Sequence, residues 1–203
     1  MIAIIDYGLG NVQSVAGAVE KLGFKAVITS SPEELQKADK LILPGVGAFA
    51  DGMKNLHNLG LIKVLNTLVL EQKKPILGIC LGFQLMARES YEFGHHTGLG
   101  WLDASVIRLE PGNNLRVPHV GWNGLQQRQQ NVLFENIPAE ALFYYTHSFH
   151  VKMHQEQEAL GKCSYGISFT SAAKKENIYG TQFHPEKSQQ FGLKLLENFL
   201  KKG

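Results

Sequence analysis

Residues 75–86 read Pro75-Ile76-Leu77-Gly78-Ile79-Cys80-Leu81-Gly82-Phe83-Gln84-Leu85-Met86. The apolar run 75–79 is typical of a fully buried strand, and residues 83–87 are typical of the start of a helix, so Cys80 falls on the turn between them. Gly78 and Gly82 supply residues without a Cβ atom on both sides of this turn. The spacing therefore predicts a nucleophile elbow with Cys80 at its apex.

The position of Cys80 favours a reactive thiol over a structural one. A helix N-terminus offers unpaired amides and the positive end of the macrodipole, both of which favour a thiolate. A lone cysteine is more often a small buried hydrophobe. The two flanking glycines reverse that preference, because a structural cysteine has no need of a turn this tight.

The candidate base for this nucleophile is His184, far downstream in the chain. Residues 177–183 have the pattern of a strand that delivers His184 at its end. Pro185 forces the chain to turn, so that Glu186 can face back toward the imidazole. Cys80, His184 and Glu186 would then form a catalytic triad in which a thiolate is the attacking group.

Length and composition narrow the class of protein. The 203 residues fit a single domain, 1–203, with a substantial core. The formal charge of +2, with dispersed lysines and arginines, gives no sign of a nucleic-acid or membrane surface. The histidine pair His95-His96 has no cysteine or carboxylate at metal-ligand spacing, so we expect no metal and no other cofactor.

The cysteines and the N-terminal residues indicate the cellular compartment of the protein. Cys80 is assigned to chemistry and Cys163 has no other partner, so no disulfide framework is expected. Residues 1–5 are too short for a signal peptide, and no apolar run approaches the length of a membrane span. We therefore expect a cytoplasmic protein.

Strand and helix patterns alternate up to about residue 90. Strands are predicted at 1–6, 25–29 and 40–43, and helices at 12–22, 32–37 and 61–72. This alternation predicts an α/β fold with a mostly parallel sheet flanked by helices on both faces. It places Cys80 and the loop at Val46 at the carboxyl edge of the sheet, where such folds bind ligands.

From Tyr91 onward the pattern changes to short strands separated by glycines. Strands are predicted at 104–109, 142–145 and 165–170, and a closing amphipathic helix at 189–201. We interpret this half as an antiparallel elaboration of the sheet rather than a second domain.

Two glycine-containing turns have competing interpretations. The turn Gly8-Leu9-Gly10-Asn11 follows a first strand, as in dinucleotide-binding proteins, but position 13 is Gln and no acid ends the second strand, which disfavours that function.

The loop Gly45-Val46-Gly47 is equally compatible with a plain tight turn and with a peptide that turns over to donate to an oxyanion. Oxyanion stabilisation needs two amide donors, each worth roughly 3 kcal/mol. Leu81 would supply one and the Val46 peptide the other.

Several separate motifs occur together in a recognisable order. They are Gly78-Ile79-Cys80-Leu81-Gly82, Ile4-Ile5-Asp6-Tyr7-Gly8-Leu9-Gly10-Asn11, Leu43-Pro44-Gly45-Val46-Gly47-Ala48-Phe49, Val117-Pro118-His119-Val120-Gly121-Trp122-Asn123 and His184-Pro185-Glu186-Lys187-Ser188-Gln189. The sequence resembles the class I (triad) glutamine amidotransferases, and within them the glutaminase subunits of imidazole glycerol phosphate synthases. The resemblance runs from residue 2 to about residue 200 and implies a flavodoxin-like core.

The resemblance also implies an activity and a partner. Glutamine would be hydrolysed to glutamate and ammonia through a cysteine thioester. Because the chain carries no acceptor domain, the ammonia would pass to a second polypeptide. In the resembled family this partner is a (β/α)8-barrel cyclase subunit, which forms a heterodimer with the glutaminase and makes imidazole glycerol phosphate and an aminoimidazole carboxamide ribotide in histidine biosynthesis.

Site residues follow from the resemblance by position. The residues that would bind glutamine are Gly45, Gly47, Gln84, His147 and Ser148, and those at or near the partner interface are Asn11, Trp122 and Lys187. Taken without the resemblance, His147 is more often a strand histidine that binds no ligand. Trp122 is equally compatible with a place in the core. If the Val46 amide points away until the partner's ligand binds, glutaminase activity of the chain alone is low.

Three other functions remain open at this point. The same glutaminase could supply a sugar-amidating synthetase in surface-polysaccharide biosynthesis. The chain could instead be a non-catalytic regulatory subunit, although a silent scaffold has no need of Cys80, His184 and Glu186 together. A stand-alone thiol hydrolase of γ-glutamyl compounds is disfavoured by the partner-facing motifs.

Overall fold

The computed structural model describes residues 1–112 and 115–203. Its strands are β1 (Ile2–Ile5), β2 (Ala26–Thr29), β3 (Lys40–Gly45), β4 (Ile76–Cys80), β5 (Ala87–Ser90), β6 (His96–Thr97), β7 (Leu102–Arg108), β8 (His119–Gly124), β9 (Gln126–Gln127), β10 (Leu142–His147), β11 (Phe149–Met153), β12 (Ala159–Tyr165), β13 (Ile167–Lys175) and β14 (Ile178–Thr181). Its helices are α1 (Val12–Lys21), α2 (Pro32–Lys37), α3 (Phe49–Asn58), α4 (Leu61–Asn66), α5 (Leu81–Leu85) and α6 (Gln189–Lys202). A π-helical turn, Thr67–Glu71, continues α4.

The main sheet has the order β2-β1-β3-β4-β14-β13-β12-β9. Its first five strands are parallel, and the last three join in antiparallel pairs. When β14 is counted as the fifth parallel strand, the order is the 2-1-3-4-5 of flavodoxin-like folds. The predicted fold class, a mostly parallel sheet flanked by helices with antiparallel additions, is confirmed.

The antiparallel additions extend beyond the main sheet. A smaller sheet has the order β11-β7-β5-β6, and β8 pairs with β10 in a two-stranded ribbon. The helices lie on both faces of the main sheet. Apolar residues of α1 and α6 pack on one face together with the inner side of the ribbon, while residues of α2, α3 and α4 pack on the other face together with the smaller sheet.

The segment after the elbow differs from its prediction. We expected a helix at 83–87, but α5 ends at Leu85 and Ala87 already belongs to β5. The carbonyl of Leu85 accepts a hydrogen bond from the Leu99 amide, and that of Met86 from the Trp101 amide, rather than from a following helical turn. Contacts with a distant loop therefore end the helix.

Two further differences concern a strand and a helix. The predicted strand at 165–170 is in fact a hairpin, in which Gly166, with φ of 69°, joins β12 to β13. Helix α3 was not predicted, although Phe49, Met53 and Leu56 recur along it at helical spacing. Gly52 within it packs closely, since a Cβ there would lie 3.0 Å from the Leu85 side chain, which would have to shift.

We expect the ammonium group of Lys74 to contribute measurably to stability. Its Nζ donates hydrogen bonds to the carbonyls of Leu35 (3.0 Å), Gln36 (2.7 Å) and Ala38 (2.6 Å) at the C-terminal end of α2. Lys74→Met should lower the free energy of unfolding by about 1–2 kcal/mol, because a charged donor and the favourable interaction with the helix terminus are both lost. Urea denaturation measures the change.

The neighbouring residue provides a matched control. Lys73 makes an ion pair with Glu176, and both side chains are more than half exposed. Lys73→Met should therefore change stability by no more than about 0.5 kcal/mol. Equal losses in the two variants would contradict the capping role of Lys74.

Candidate active site

The elbow at Cys80 is formed by close packing of backbone. Cys80 ends β4 and adopts φ 54° and ψ −109°, a strained conformation for a residue with a side chain. A Cβ at Gly82 would lie 1.7 Å from the carbonyl oxygen of Leu43, and one at Gly78 would lie 2.8 Å from the backbone of Phe83. Both glycines are required by these contacts, as the sequence predicted.

His184 and Glu186 come together at the next strand of the sheet. β14 pairs with β4 in parallel, with Thr181 beside Ile79, so the chain after β14 passes next to the elbow. Nδ1 of His184 lies 2.8 Å from Oε1 of Glu186, and both side chains are almost fully buried. Because a carboxylate only accepts, Nδ1 donates this hydrogen bond, and Nε2 remains free of any described hydrogen-bond partner.

The protonated form of His184 is favoured. Burial by itself would lower the pKa of His184, but the neighbouring Cys80 and Glu186 outweigh it and raise the pKa to about 9. An imidazolium at neutral pH can pair with a thiolate and can later donate its proton. The arrangement therefore suits a group that activates a thiol and then acts as an acid.

The predicted oxyanion loop lies directly beside the elbow. Gly45 is the register partner of Cys80 in the β3–β4 pair, and Val46 follows it at the exposed edge. A Cβ at Gly45 would lie 2.3 Å from the Tyr7 hydroxyl and 2.8 Å from Cβ of Leu81, so only glycine fits. Gly47 has φ of 117°, a backbone conformation that glycine adopts readily.

A cavity of about 340 Å³ opens beside Cys80. Its walls include seven of the residues proposed from the sequence: Val46, Gly47, Cys80, Leu81, Gln84, His147 and Ser148. Gly45 does not line this cavity but packs behind it against Leu81. The volume is suited to a small molecule of the size of an amino acid.

His147 faces the cavity with both ring nitrogens already engaged. Nδ1 lies 2.9 Å from the carbonyl oxygen of Phe149, and Nε2 lies 3.1 Å from Nδ1 of His119. Burial lowers the pKa of His147 to about 3 and that of His119 to about 4, so both rings are neutral near pH 7. His147 therefore offers its ring to a ligand rather than a free nitrogen.

The side-chain NH2 group of Gln84 is also engaged in hydrogen bonds within the protein. Its Nε2 donates to the carbonyl of Phe149 at 2.8 Å and to Oε1 of Gln182 at 3.2 Å. Oε1 of Gln84 accepts no hydrogen bond from a described residue and remains available to a ligand. Gln182, which sequence analysis did not single out, is fully buried, and its Nε2 lies 3.8 Å from Sγ of Cys80.

Glu92 is a second residue that sequence analysis missed. It lines the cavity, and its Oε2 accepts a 2.7 Å hydrogen bond from the amide of Phe49 at the start of α3. Burial raises the pKa of Glu92. No local motif marks Glu92, because it reaches the cavity only through the turn between β5 and β6.

The three residues predicted near a partner interface lie close to the triad. Nδ2 of Asn11 donates to Oε1 of Glu186 at 3.4 Å. Trp122 is 45% exposed and packs edge-on against Tyr144, whose ring centroid lies 6.0 Å from Nζ of Lys187. Their place at an interface stays a prediction.

None of the helices in residues 1–112 and 115–203 has both the length and the apolar character of a membrane span. The same residues contain no group of three or more His, Cys, Asp or Glu side chains placed to hold a metal ion.

Relatives of the chain have closely similar sequences along its whole length. "Imidazole glycerol phosphate synthase subunit HisH 1" of Campylobacter jejuni (strain RM1221) is 51% identical over 201 residues, which cover 99% of this chain and 100% of the relative. A protein with the corresponding name, numbered HisH 2, from Methanococcus maripaludis is 49% identical and covers 99% of both chains.

Solved structures agree with the fold. A crystal structure of a glutamine amidotransferase superposes with a TM-score of 0.75 at 20% identity, and covers 98% of this chain and 97% of its own. PurLQS from Thermotoga maritima gives a TM-score of 0.75 at 18% identity, with coverage of 98% and 96%. At these identities the likeness concerns the fold alone.

A family comparison decides the assignment. The family model described as "Glutamine amidotransferase class-I" matches residues 3–202, almost the whole chain. The matched region includes the elbow, the histidine and the acid whose geometry is given above. The chain belongs to the class I glutamine amidotransferase family.

Proposed function

We propose that this chain is the glutaminase subunit of an imidazole glycerol phosphate synthase, with Cys80, His184 and Glu186 as its catalytic residues. It hydrolyses glutamine to glutamate and ammonia and passes the ammonia to a cyclase subunit in histidine biosynthesis. The observation that carries the proposal is the 51% identity to a relative of that name across both full lengths. The pairing of His184 with Glu186 beside the elbow supports it.

The reaction follows from the positions of the three residues. The Cys80 thiolate attacks the side-chain amide carbon of glutamine, and the resulting tetrahedral intermediate breaks down as His184 protonates the departing ammonia. His184 then takes a proton from the water that hydrolyses the γ-glutamyl thioester. Glu186 holds the imidazole in the required tautomer through Nδ1 and balances its charge.

Two backbone amides stabilise the oxyanion. Leu81 follows the nucleophile at the N-terminus of α5, and its amide is one donor. The peptide at Val46 is the other, and the flanking Gly45 and Gly47 allow it to turn over. If this turn waits for the partner's ligand, the free chain hydrolyses glutamine slowly.

The α-ammonium group of glutamine binds to Glu92 and Gln84. Both Nε2 hydrogens of Gln84 serve internal acceptors, which leaves Oε1 to accept from the ammonium. Glu92 supplies the opposite charge within the same cavity. Ser148 and the Gly47 peptide then contact the α-carboxylate, while the ring of His147 packs against the substrate.

The cyclase subunit docks on the outer face of the β8–β10 ribbon. The strand register places Trp122 opposite Tyr144 and Val120 opposite Thr146, so these side chains share one face with Leu142. Val120, Trp122 and Leu142 are each between 45% and 57% exposed. An exposed apolar strip of this kind, with Lys187 at its edge, is typical of an interaction surface.

We treat residues 1–203 as one glutaminase domain, supported by the continuous family match. We also place the protein in the cytoplasm, because thiolate chemistry requires a reduced Cys80 and reducing compartments maintain free thiols.

The other functions considered are not favoured. The relatives bear the name imidazole glycerol phosphate synthase, which does not point to a sugar-amidating synthetase. A purely regulatory subunit would not need the buried pair of His184 and Glu186 beside Cys80. A stand-alone hydrolase would not need an exposed apolar ribbon.

Glutamate release from glutamine tests the function directly. It is measured for the chain alone, and then with the cyclase subunit and its ribonucleotide substrate. We expect strong stimulation by the partner, and a loss of about 10³-fold or more in Cys80→Ala, because no other group can form the thioester. No stimulation by this partner would overturn the assignment of the pathway.

The second cysteine is the matched control. Cys163 is buried on β12, and burial raises its pKa to about 11, so it stays a neutral thiol. Cys163→Ala should retain activity within a few-fold of the unmodified chain. If it lost as much activity as Cys80→Ala, the assignment of the nucleophile would be wrong.

Substrate affinity tests the role of Glu92. Glu92→Gln should raise KM for glutamine by about tenfold to a hundredfold, because a charge-assisted contact with the ammonium is lost. The substituted amide oxygen can still accept from the Phe49 amide, so the fold is kept. Glu110→Gln, an exposed acid outside this cavity, is the control and should leave KM unchanged.

The affinity for the partner tests the docking face with two leucines of nearly equal exposure. Leu142 on the ribbon is 48% exposed, and Leu59 at the end of α3, on the opposite side of the main sheet, is 50% exposed. Leu142→Ser should raise Kd for the cyclase subunit about tenfold, while Leu59→Ser leaves it unchanged. Equal effects would place the interface elsewhere.

A further inference from the structure

Gln182 occupies a position that the reaction as described does not use. It lies on the extended segment after β14, two residues before His184, and is fully buried. Phe183 between them is also buried, and its ring stacks on Phe143 at 4.2 Å. Gln182 makes side-chain hydrogen bonds to Gln84 and to Cys80.

The orientation of the Gln182 amide is fixed by a backbone carbonyl. The Phe149 carbonyl can only accept, so the group of Gln84 that lies 2.8 Å away is the Nε2 donor. The same Nε2 lies 3.2 Å from the Gln182 side chain, which must therefore present Oε1. The remaining Nε2 of Gln182 then points at Sγ of Cys80, at 3.8 Å. Turning either amide over would place two like groups against each other.

The two polar neighbours of the sulfur respond oppositely to its ionisation. The carbonyl oxygen of Thr146 lies 3.9 Å from Sγ and can accept a hydrogen bond from the thiol, but it repels a thiolate. The amide of Gln182 donates, and its hydrogen bond strengthens when the sulfur becomes negative. Loss of the thiol proton therefore shifts the sulfur's polar contacts from Thr146 toward Gln182.

We propose that Gln182 is a positioning residue that orients the Cys80 sulfur and stabilises its thiolate, with its own donor direction set by Phe149 through Gln84. The proposal rests on Cys80 being the nucleophile of the proposed function. His184 and Gln182 then prepare the thiolate together, one by charge and the other by a fixed neutral dipole.

Other ionisable groups also surround the sulfur. His184 and Glu186 approach from the segment after β14, and Glu92 and His147 line the same cavity. Tyr7, after β1, has its pKa raised by burial and by Cys80, and its hydroxyl has no described hydrogen-bond partner. All of these groups are unchanged in a Gln182 variant, so a shift in thiol ionisation there is due to the missing donor.

The test is the rate of Cys80 alkylation by iodoacetamide as a function of pH, read by mass spectrometry of the Cys80 peptide. The midpoint of this profile belongs to the coupled Cys80–His184 pair. Gln182→Met keeps the size of the side chain and removes the donor, so the midpoint should rise by about one pH unit. Gln190→Met, an exposed glutamine on α6, is the control and should leave it unchanged.

A second variant tests whether Gln84 sets the direction of the Gln182 amide. It also provides a test if Gln182→Met does not fold. Gln84→Met leaves Gln182 in place but frees its amide to turn, so the midpoint should rise by less than in Gln182→Met. A folded Gln182→Met with an unchanged midpoint would overturn the proposal. An unchanged midpoint in folded Gln84→Met would do the same if Gln182→Met does not fold. The readout uses neither glutamine nor the cyclase subunit, so it stays informative if the proposed function fails.

Discussion

The rest of the structure depends on the approach of the Gly82 backbone to the carbonyl of Leu43. This contact lets α5 begin directly above the carboxyl end of β3, where even one Cβ atom would clash. Cys80 is held in its strained conformation as a result, at a cost of about 1–3 kcal/mol that the surrounding sheet must sustain. The same packing brings Cys80, the proposed nucleophile, beside Gly45 and Leu81, so that the proposed nucleophile and oxyanion donors lie on the same rigid part of the sheet.

The groups around His184 counteract the effect of burial on its pKa. An isolated buried imidazole would lose its proton, but Glu186 on one side and Cys80 on the other keep His184 protonated. Asn11, the residue directly before α1, donates a hydrogen bond to Glu186 and helps to hold it in place. The neutral pair His119 and His147, in contrast, contributes shape and fixed hydrogen bonds to the cavity without adding charge.

Sequence analysis succeeded where short spacings determine the geometry. The two glycines around Cys80 and the proline between His184 and Glu186 each impose a local backbone path, and the elbow and the histidine–acid pair followed from them. It missed α3, where Gly52 lowers the helix propensity of an otherwise amphipathic segment, and the early end of α5, which a distant loop imposes. Gln182 and Glu92 could not be identified, because their roles depend on partners brought together only by the sheet topology.

The carbonyl of Phe149 accepts hydrogen bonds from both Gln84 and His147, although it belongs to the smaller sheet. One carbonyl oxygen outside the parallel strands thus sets the direction of the Gln84 amide, which we propose binds substrate, and the tautomer of the His147 imidazole. If these residues have the roles proposed above, a shift of β11 would disturb glutamine recognition and thiol orientation at the same time. Substitutions in the smaller sheet would then alter glutamine binding and the reactivity of the thiol as well as stability.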